Sequence, residues 1–176
     1  MKRSISVLLA VIVLLCCAGC AKIGATDKDE ETNDKIVFSA TDVNGGKVES
    51  KDIFAENKIT MINIWASWCG PCVSELSDLQ KLSQELENVG CGLIGVLDDG
   101  DTASGRETGT KLLTDGGITY LNILSDSSVR SQFSYMYYPT SFFVDSSGRL
   151  LGEPIIGAQV NEYLPHVIKL LEDIDN

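Results

Sequence analysis

The order of hydrophobic patterns along the chain predicts an α/β protein of three layers, with a central mixed β-sheet flanked by helices. Two apolar-rich runs, 59–64 and 91–97, have the length and composition of buried strands. Between them, 73–86 places apolar residues at helical spacing, and 161–173 does so again near the carboxyl terminus. A chain of 176 residues, 44% of them apolar, can bury one core, so we expect one folded domain.

The segment before the first buried strand predicts the edge of the sheet. The folded part should begin at 36–38, and Asn44-Gly45 is a turn signal between short apolar segments, which indicates a hairpin. A short helix is expected over 51–56. The long helix after the first buried strand should end near Gly90, because glycine suits a helix C-cap.

The remaining elements follow from turn residues and shorter apolar patterns. In chain order we predict an exposed acidic loop 98–105, a helix 106–113, an extended segment 120–124, helical turns 127–133, and a strand 141–144 that pairs with 149–152 around a turn at 145–148. The hairpin near the end makes the sheet mixed, since the two buried runs joined by a helix should be parallel.

The first twenty residues differ in kind from the rest. Two basic residues at positions 2 and 3 precede an almost unbroken apolar run, 5–15, which is short for a transmembrane helix and is typical of a secretory signal. The run 14–20, which ends in Cys-Ala-Gly-Cys, resembles the lipobox of bacterial lipoproteins, although Cys17 stands where leucine is usual. That resemblance implies cleavage before Cys20 and attachment of diacylglycerol to it. An ordinary cleaved signal or an uncleaved anchor is the alternative.

These features predict three regions. Residues 1–19 are a signal peptide, residues 20–34 are the lipidated Cys20 with a flexible acidic tether, and residues 35–176 are the folded domain. We therefore expect an extracytoplasmic protein that is lipid-anchored to the bacterial cell membrane. The formal net charge of −11 argues against nucleic acid as a partner and against attraction to an anionic membrane surface, so the lipid would hold the protein there.

The cysteines of the expected mature domain favour a redox centre over a structural framework. Only Cys69, Cys72 and Cys91 remain after the signal and the lipidated cysteine are set aside, and a disulfide framework would need several separated pairs. Cys69 and Cys72 lie where a predicted strand ends and a helix begins, and the start of a helix favours a thiolate. With His166 as the only histidine, a tetrahedral zinc site lacks ligands, so we expect no metal and no cofactor beyond the cysteine pair.

At this point the motifs identify a family. The sequence WCGPC at 68–72 after an apolar strand, with YPT at 138–140, resembles the thioredoxin fold. The wider pattern, with 63–69 and 142–149, is similar to the TlpA/ResA-like branch of exported, membrane-tethered thioredoxins. The resemblance covers roughly 36–172 and implies a thiol-disulfide oxidoreductase.

The roles expected at the motif follow from thiol chemistry and from the family. Cys69, the first and more exposed cysteine, should attack a substrate disulfide, and Cys72, one turn later, should resolve the mixed disulfide. Gly70 and Pro71 let the turn close tightly, since proline is tolerated in a first helical turn. Trp68 should shield one side of the sulfur.

Further positions receive a prediction from the resemblance or from their place in the pattern. The resemblance implies that Pro139 is cis and faces the cysteines, and that Tyr138 offers its backbone to a bound peptide. Asn63 stands where cytosolic thioredoxins carry a buried acid, so that base is missing. Glu75 matches an acidic residue of the ResA-like branch and either tunes the thiols or is a carboxylate on the helix surface. Cys91 opens a buried strand, where a free cysteine usually behaves as a small hydrophobe.

We therefore predict an enzyme that reduces disulfides of partner proteins as a monomer. The Gly-Pro dipeptide matches reducing thioredoxins, and the expected clients are an apocytochrome, or a surface methionine sulfoxide reductase or peroxidase that needs recycling. A reductant outside the cell needs electrons, which implies a membrane donor of the CcdA/DsbD kind. The alternative is a redox-linked peptide-binding or chaperone lipoprotein without multiple turnovers.

Overall fold

Helices and strands alternate in the computed structural model, which describes residues 35–175. In chain order, its elements are β1 (Ser39–Asp42), β2 (Lys47–Glu49), α1 (Ser50–Ala55), β3 (Ile59–Trp65), α2 (Gly70–Glu87), β4 (Gly92–Leu97), a 3-10 turn (Asp98–Asp101), α3 (Ala103–Asp115), β5 (Asn122–Leu124), α4 (Ser127–Arg130), β6 (Thr140–Asp145), β7 (Ile155–Ile156) and α5 (Val160–Ile174). The predicted signal, the lipidated Cys20 and the tether lie outside the described residues. Within 35–175, no helix is both long and apolar enough to cross a membrane.

The strands form one mixed sheet in the order β2-β1-β5-β4-β3-β6-β7. The central strands β3, β4 and β5 are parallel, whereas β6 runs antiparallel to β3. Helix α2 connects β3 to β4 as a crossover, which parallel neighbours require. The predicted mixed sheet is therefore confirmed.

Side chains alternate between the two faces of β3 and bury a core on each face. Ile59 and Met61 pack with Leu79 of α2 and Val167 of α5, whereas Ile62 packs on the opposite face with Phe54 and other aromatic residues. Because both faces are covered, the sheet is the middle of three layers, as predicted.

The ends of four strands meet at one edge of the sheet. The pairing places Trp65 of β3 opposite Leu97 of β4, and Leu97 opposite Leu124 of β5. Thr140, where β6 begins, pairs with Ile64 of β3. The segments that follow β3, β4 and β5 and the segment that precedes β6 therefore converge at this edge, where ligands of α/β sheets commonly bind.

One sequence prediction is wrong in this part of the fold, and another is confirmed only over a shorter range. The acidic loop over 98–105 is not uniformly exposed: Asp98 is only 8% exposed, and α3 already begins at Ala103, capped by the hydroxyl of Thr102. The predicted hairpin is shorter than expected: Leu150 bridges Val144, the N–H of Asp145 donates to the carbonyl of Arg149, and the N–H of Leu151 donates to the carbonyl of Phe143. The pairing ends at Gly152, where the backbone turns into the left-handed region at φ 58°, and β7 pairs with the start of β6.

Candidate active site

Cys69 and Cys72 lie at the junction between β3 and α2 and are joined by a disulfide with an S–S distance of 2.07 Å. Cys69 is the N-cap residue of α2, and the backbone N–H of Cys72 donates to its Sγ at 3.3 Å. Cys69 is 5% exposed and Cys72 is fully buried, so the Cys69 sulfur is the more accessible of the two. When the pair is reduced, the N–H donor and the positive end of the helix favour a thiolate at Cys69.

The residues between the cysteines allow the helix to start at once. Gly70 and Pro71 occupy the first turn of α2, where a backbone N–H has no carbonyl partner within the helix and proline therefore loses nothing. The helix thus begins three residues earlier than the apolar periodicity of 73–86 predicts, because its first turn is defined by this cap and not by a hydrophobic face.

Asp99 holds Ser67, two residues before Cys69, in place through two hydrogen bonds. The carboxylate of Asp99 accepts the backbone N–H of Ser67 at 3.0 Å and its hydroxyl at 2.5 Å. Asp99 follows β4, which is parallel to β3, so the two residues meet at the same sheet edge. Sequence reasoning misses this contact, since Asp99 lies within the stretch predicted to be an exposed loop.

The predicted docking residues lie beside the cysteine motif. The Tyr138–Pro139 bond is cis, as the resemblance implies, and Pro139 is buried immediately before β6. The rings of Tyr138 and Trp68 meet edge to face, with centroids 5.3 Å apart. Trp68 is 68% exposed, so its other surface faces solvent next to Cys69. Phe133, at the start of the segment that leads to Pro139, belongs to the core.

Glu75 is buried beneath α2 in a polar network and is not a carboxylate on the helix surface. It is 3% exposed, which excludes that alternative. Its Oε1 accepts from Asn63 Nδ2 at 3.1 Å, and its Oε2 accepts from Tyr163 OH at 3.1 Å. Asn63 also donates to the Ser141 hydroxyl on β6. Sequence reasoning misses Tyr163, because its position on α5 predicts only a core aromatic.

Burial dominates the ionisation of Glu75. It raises the pKa of Glu75 from 4.5 to about 7, against the smaller opposing effect of the hydrogen bonds from Asn63 and Tyr163. Glu75 lies three residues after Cys72, on the same buried side of α2. A carboxyl group with a pKa near neutral is therefore one helical turn from Cys72, and Asn63 on β3 donates a hydrogen bond to it.

The remaining single residues are structural in character. Cys91 is buried as a free thiol, and burial raises its pKa, so it is a poor thiolate. His166 packs against the ring of Phe143 at 4.6 Å and is part-buried, whereas its place on an amphipathic helix predicts an ordinary surface position. No group of three histidine, cysteine, aspartate or glutamate residues within 35–175 could hold a metal ion.

Comparison with known proteins places this site in a family. The model of the AhpC/TSA family matches residues 32–151. The thiol-disulfide oxidoreductase ResA of Bacillus anthracis is 28% identical over 96% of this chain and 98% of its own length. A ResA of Bacillus cereus is 30% identical, over 93% of this chain and 95% of its own length.

Solved structures agree on the fold. A thioredoxin-family thiol:disulfide interchange protein from Chlorobium tepidum superposes with a TM-score of 0.65, covers 78% of this chain and 94% of its own, and is 22% identical. StoA from Bacillus subtilis gives a TM-score of 0.60 at 22% identity, over 73% of this chain and 92% of its own. The thioredoxin-like fold and the recognised family are thus confirmed. The chain belongs to the AhpC/TSA family, in its ResA-like thioredoxin branch, and is a thiol-disulfide oxidoreductase.

Proposed function

We propose that this oxidoreductase reduces the disulfides of partner proteins outside the cytoplasm, held at the membrane by lipid on Cys20. The observation that carries the proposal is the placement of Cys69: its sulfur caps α2 and is the more accessible one, beside Trp68 and the Tyr138–Pro139 edge. A thiolate at the more accessible cysteine, beside the exposed Trp68, suits a protein disulfide, which must approach in line with the attacking sulfur.

The reaction needs only the two cysteines and the client. The Cys69 thiolate attacks one sulfur of the client disulfide, forms a mixed disulfide and releases a client thiolate. Cys72 then loses its proton and attacks the Cys69 sulfur, which re-forms the Cys69–Cys72 disulfide and releases the second client thiol. Two electrons pass from the cysteine pair to the client, so the oxidised pair must be reduced again before the next turnover.

Reduction is the favoured direction because of the residues between the cysteines. The Gly-Pro dipeptide is that of reducing thioredoxins, whose potential is about −270 mV, whereas strong oxidants lie near −120 mV. An apocytochrome, a surface methionine sulfoxide reductase or a peroxidase would be a client of this type. A membrane donor of the CcdA/DsbD kind would renew the electrons, and a monomer suffices for the reaction.

Glu75 is the proton carrier in this proposal. Cys72 must lose a proton to attack the mixed disulfide, and Glu75 is the buried carboxyl one turn away whose pKa is raised to about 7. A group that titrates near the working pH is the most effective general base. Tyr163 and Asn63 would hold its two oxygens in place from α5 and β3.

Turnover of a protein substrate tests the proposal against its alternative. With dithiothreitol as electron source, the purified full chain in mild detergent should reduce many equivalents of insulin, and Cys69→Ser should lose this activity. Cys91→Ser should keep it, because that thiol lies in the core and is used in no step. Stoichiometric binding of insulin without turnover would favour the peptide-binding or chaperone alternative. Normal turnover in Cys69→Ser would refute the proposed chemistry.

The lipid anchor predicts which cysteine is acylated in cells. In a bacterial host grown with an alkyne fatty acid, the wild-type chain should take up the label and Cys20→Ala should lose it. Cys17→Ala is the matched control and should keep the label, because Cys17 would leave with the signal peptide. Label retained in Cys20→Ala would contradict the lipobox prediction.

A further inference from the structure

Asp98 collects four side-chain donors at the active-site edge. Its Oδ1 accepts from Ser125 Oγ at 2.9 Å, Arg130 Nε at 3.1 Å and Tyr135 OH at 2.7 Å, and its Oδ2 accepts from Tyr138 OH. Three of the four donors converge on Oδ1 and one reaches Oδ2, so the carboxylate is densely hydrogen-bonded for a group with about four lone-pair sites. A single buried ion pair would need fewer donors than these four. Two of them, Tyr135 and Tyr138, belong to the segment that leads to Pro139.

The two tyrosines connect Asp98 to the surface around Cys69. Their rings lie 5.7 Å apart, and the Tyr138 ring also meets Trp68 edge to face. Between them, Met136 and Tyr137 are 84% and 62% exposed, so this segment stands out into solvent and is held at its ends by the two hydroxyls. Asp98 therefore supports the Tyr138–Pro139 edge beside Cys69 through its hydrogen bonds to the two tyrosines, and not through helix α2.

Asp98 stays ionised at neutral pH, so its hydrogen bonds to the tyrosines persist. Burial would raise the pKa of Asp98, but the hydrogen bonds from Tyr138, Tyr135 and Ser125 and the charge of Arg130 outweigh it and hold the pKa below its usual range. Burial and the bond to Asp98 raise the pKa of Tyr138 to about 12, so its hydroxyl remains a donor. An ionised acceptor with protonated donors gives charge-assisted hydrogen bonds.

We propose that Asp98 is a positioning residue for protein substrates: it fixes Tyr135 and Tyr138, and through them holds Trp68 and the Tyr138–Pro139 edge where an extended client segment must lie to present its disulfide to Cys69. A small disulfide reaches Cys69 without lying along this edge. The network thus acts on the choice between protein and small substrates more than on thiol chemistry. This inference rests on the proposed reduction of protein disulfides.

The test compares two substrates in the full chain, reduced beforehand and kept in mild detergent. In single-turnover measurements over a range of insulin concentrations, Asp98→Asn should lower the second-order rate constant of insulin reduction by about tenfold, mainly by raising the insulin concentration that gives half the maximal rate, since misplaced binding groups weaken the productive pose. The loss for 2-hydroxyethyl disulfide should be several times smaller. Acrylamide quenching should report a change at Trp68, because Trp65 is fully buried and contributes little.

Two further variants keep the test decisive. Asp101→Asn removes a carboxylate that contacts the same Arg130 at 3.4 Å but neither tyrosine, and should leave the ratio of the two substrates as in wild type. Tyr135→Phe combined with Tyr138→Phe keeps both rings and removes the hydroxyls, so it should reproduce the selective loss even where Asp98→Asn folds poorly.

The outcomes separate this inference from the proposed function. A selective loss for insulin in Asp98→Asn and in the double phenylalanine variant supports it. Equal losses on both substrates, or no loss on either, with an active wild type would overturn the positioning role alone. A wild-type chain that reduces the small disulfide but not insulin would overturn the proposed function, and this inference with it.

Discussion

Cys72→Ser should convert the enzyme into a covalent trap for its client. Cys69 can still attack a client disulfide, but serine cannot attack the resulting mixed disulfide, so the complex persists. The effect is expected to be nearly all or none, because Cys72 is buried one turn below Cys69 and no other cysteine of the described residues shares that helix. Cells that express the variant should yield adducts on non-reducing gels that disappear with dithiothreitol.

The controls for trapping use the same chain. The wild type should give few adducts, because Cys72 resolves them, and Cys69→Ser with Cys72→Ser should give none. Adducts that persist in the double variant would point to Cys91 and contradict the assignment of Cys69 as the attacking thiol. Mass spectrometry of the trapped protein would identify the client.

Glu75→Gln should change two steps in opposite directions. The Glu75 carboxylate, once ionised above about pH 7, disfavours a nearby thiolate, so its removal should move the alkylation profile of Cys69 to lower pH. Resolution of the mixed disulfide should slow by about 100-fold, because a general base is lost. Stopped-flow measurement of both steps from acidic to alkaline pH would check this. An unchanged alkylation profile and an unchanged resolution rate would remove Glu75 from the mechanism.

The same substitution predicts a change in how stability depends on pH. The native state keeps the Glu75 proton up to about pH 7, whereas the unfolded chain loses it near pH 4.5, so the free energy of unfolding falls as pH rises through this window. The fall due to this group is about 3 kcal/mol and is complete above pH 7. Glutamine cannot ionise, so the free energy of unfolding of oxidised Glu75→Gln, measured with denaturant at each pH, should not show this fall. Glu85→Gln, at an exposed position of the same helix, should retain it.

Much of the fold could be predicted because its hydrophobic patterns are local. The apolar runs of β3 and β4 and the spacing in α2 identify their elements directly, since one period fits each. The hairpin at Asn44-Gly45 is equally local and is confirmed. The prediction is less complete where the cause is not local: the hairpin over 149–151 ends where the chain turns at Gly152, and a later strand, β7, pairs with the start of β6.

The sequence by itself determined the chemistry of this protein: a cysteine pair at a strand–helix junction, with Trp68 directly before it and Pro139 directly before a later strand. These are contiguous motifs, and their meaning does not depend on distant contacts. The tertiary structure alone decided what surrounds them. Glu75 is buried against Tyr163, 88 residues away, and Asp98 binds Tyr138, 40 residues away. The physical reason is that a carboxylate looks the same in the sequence whether it is solvated or buried. The packing of α2 against β3 and α5 decides the environment of Glu75, and the convergence of strand ends decides that of Asp98.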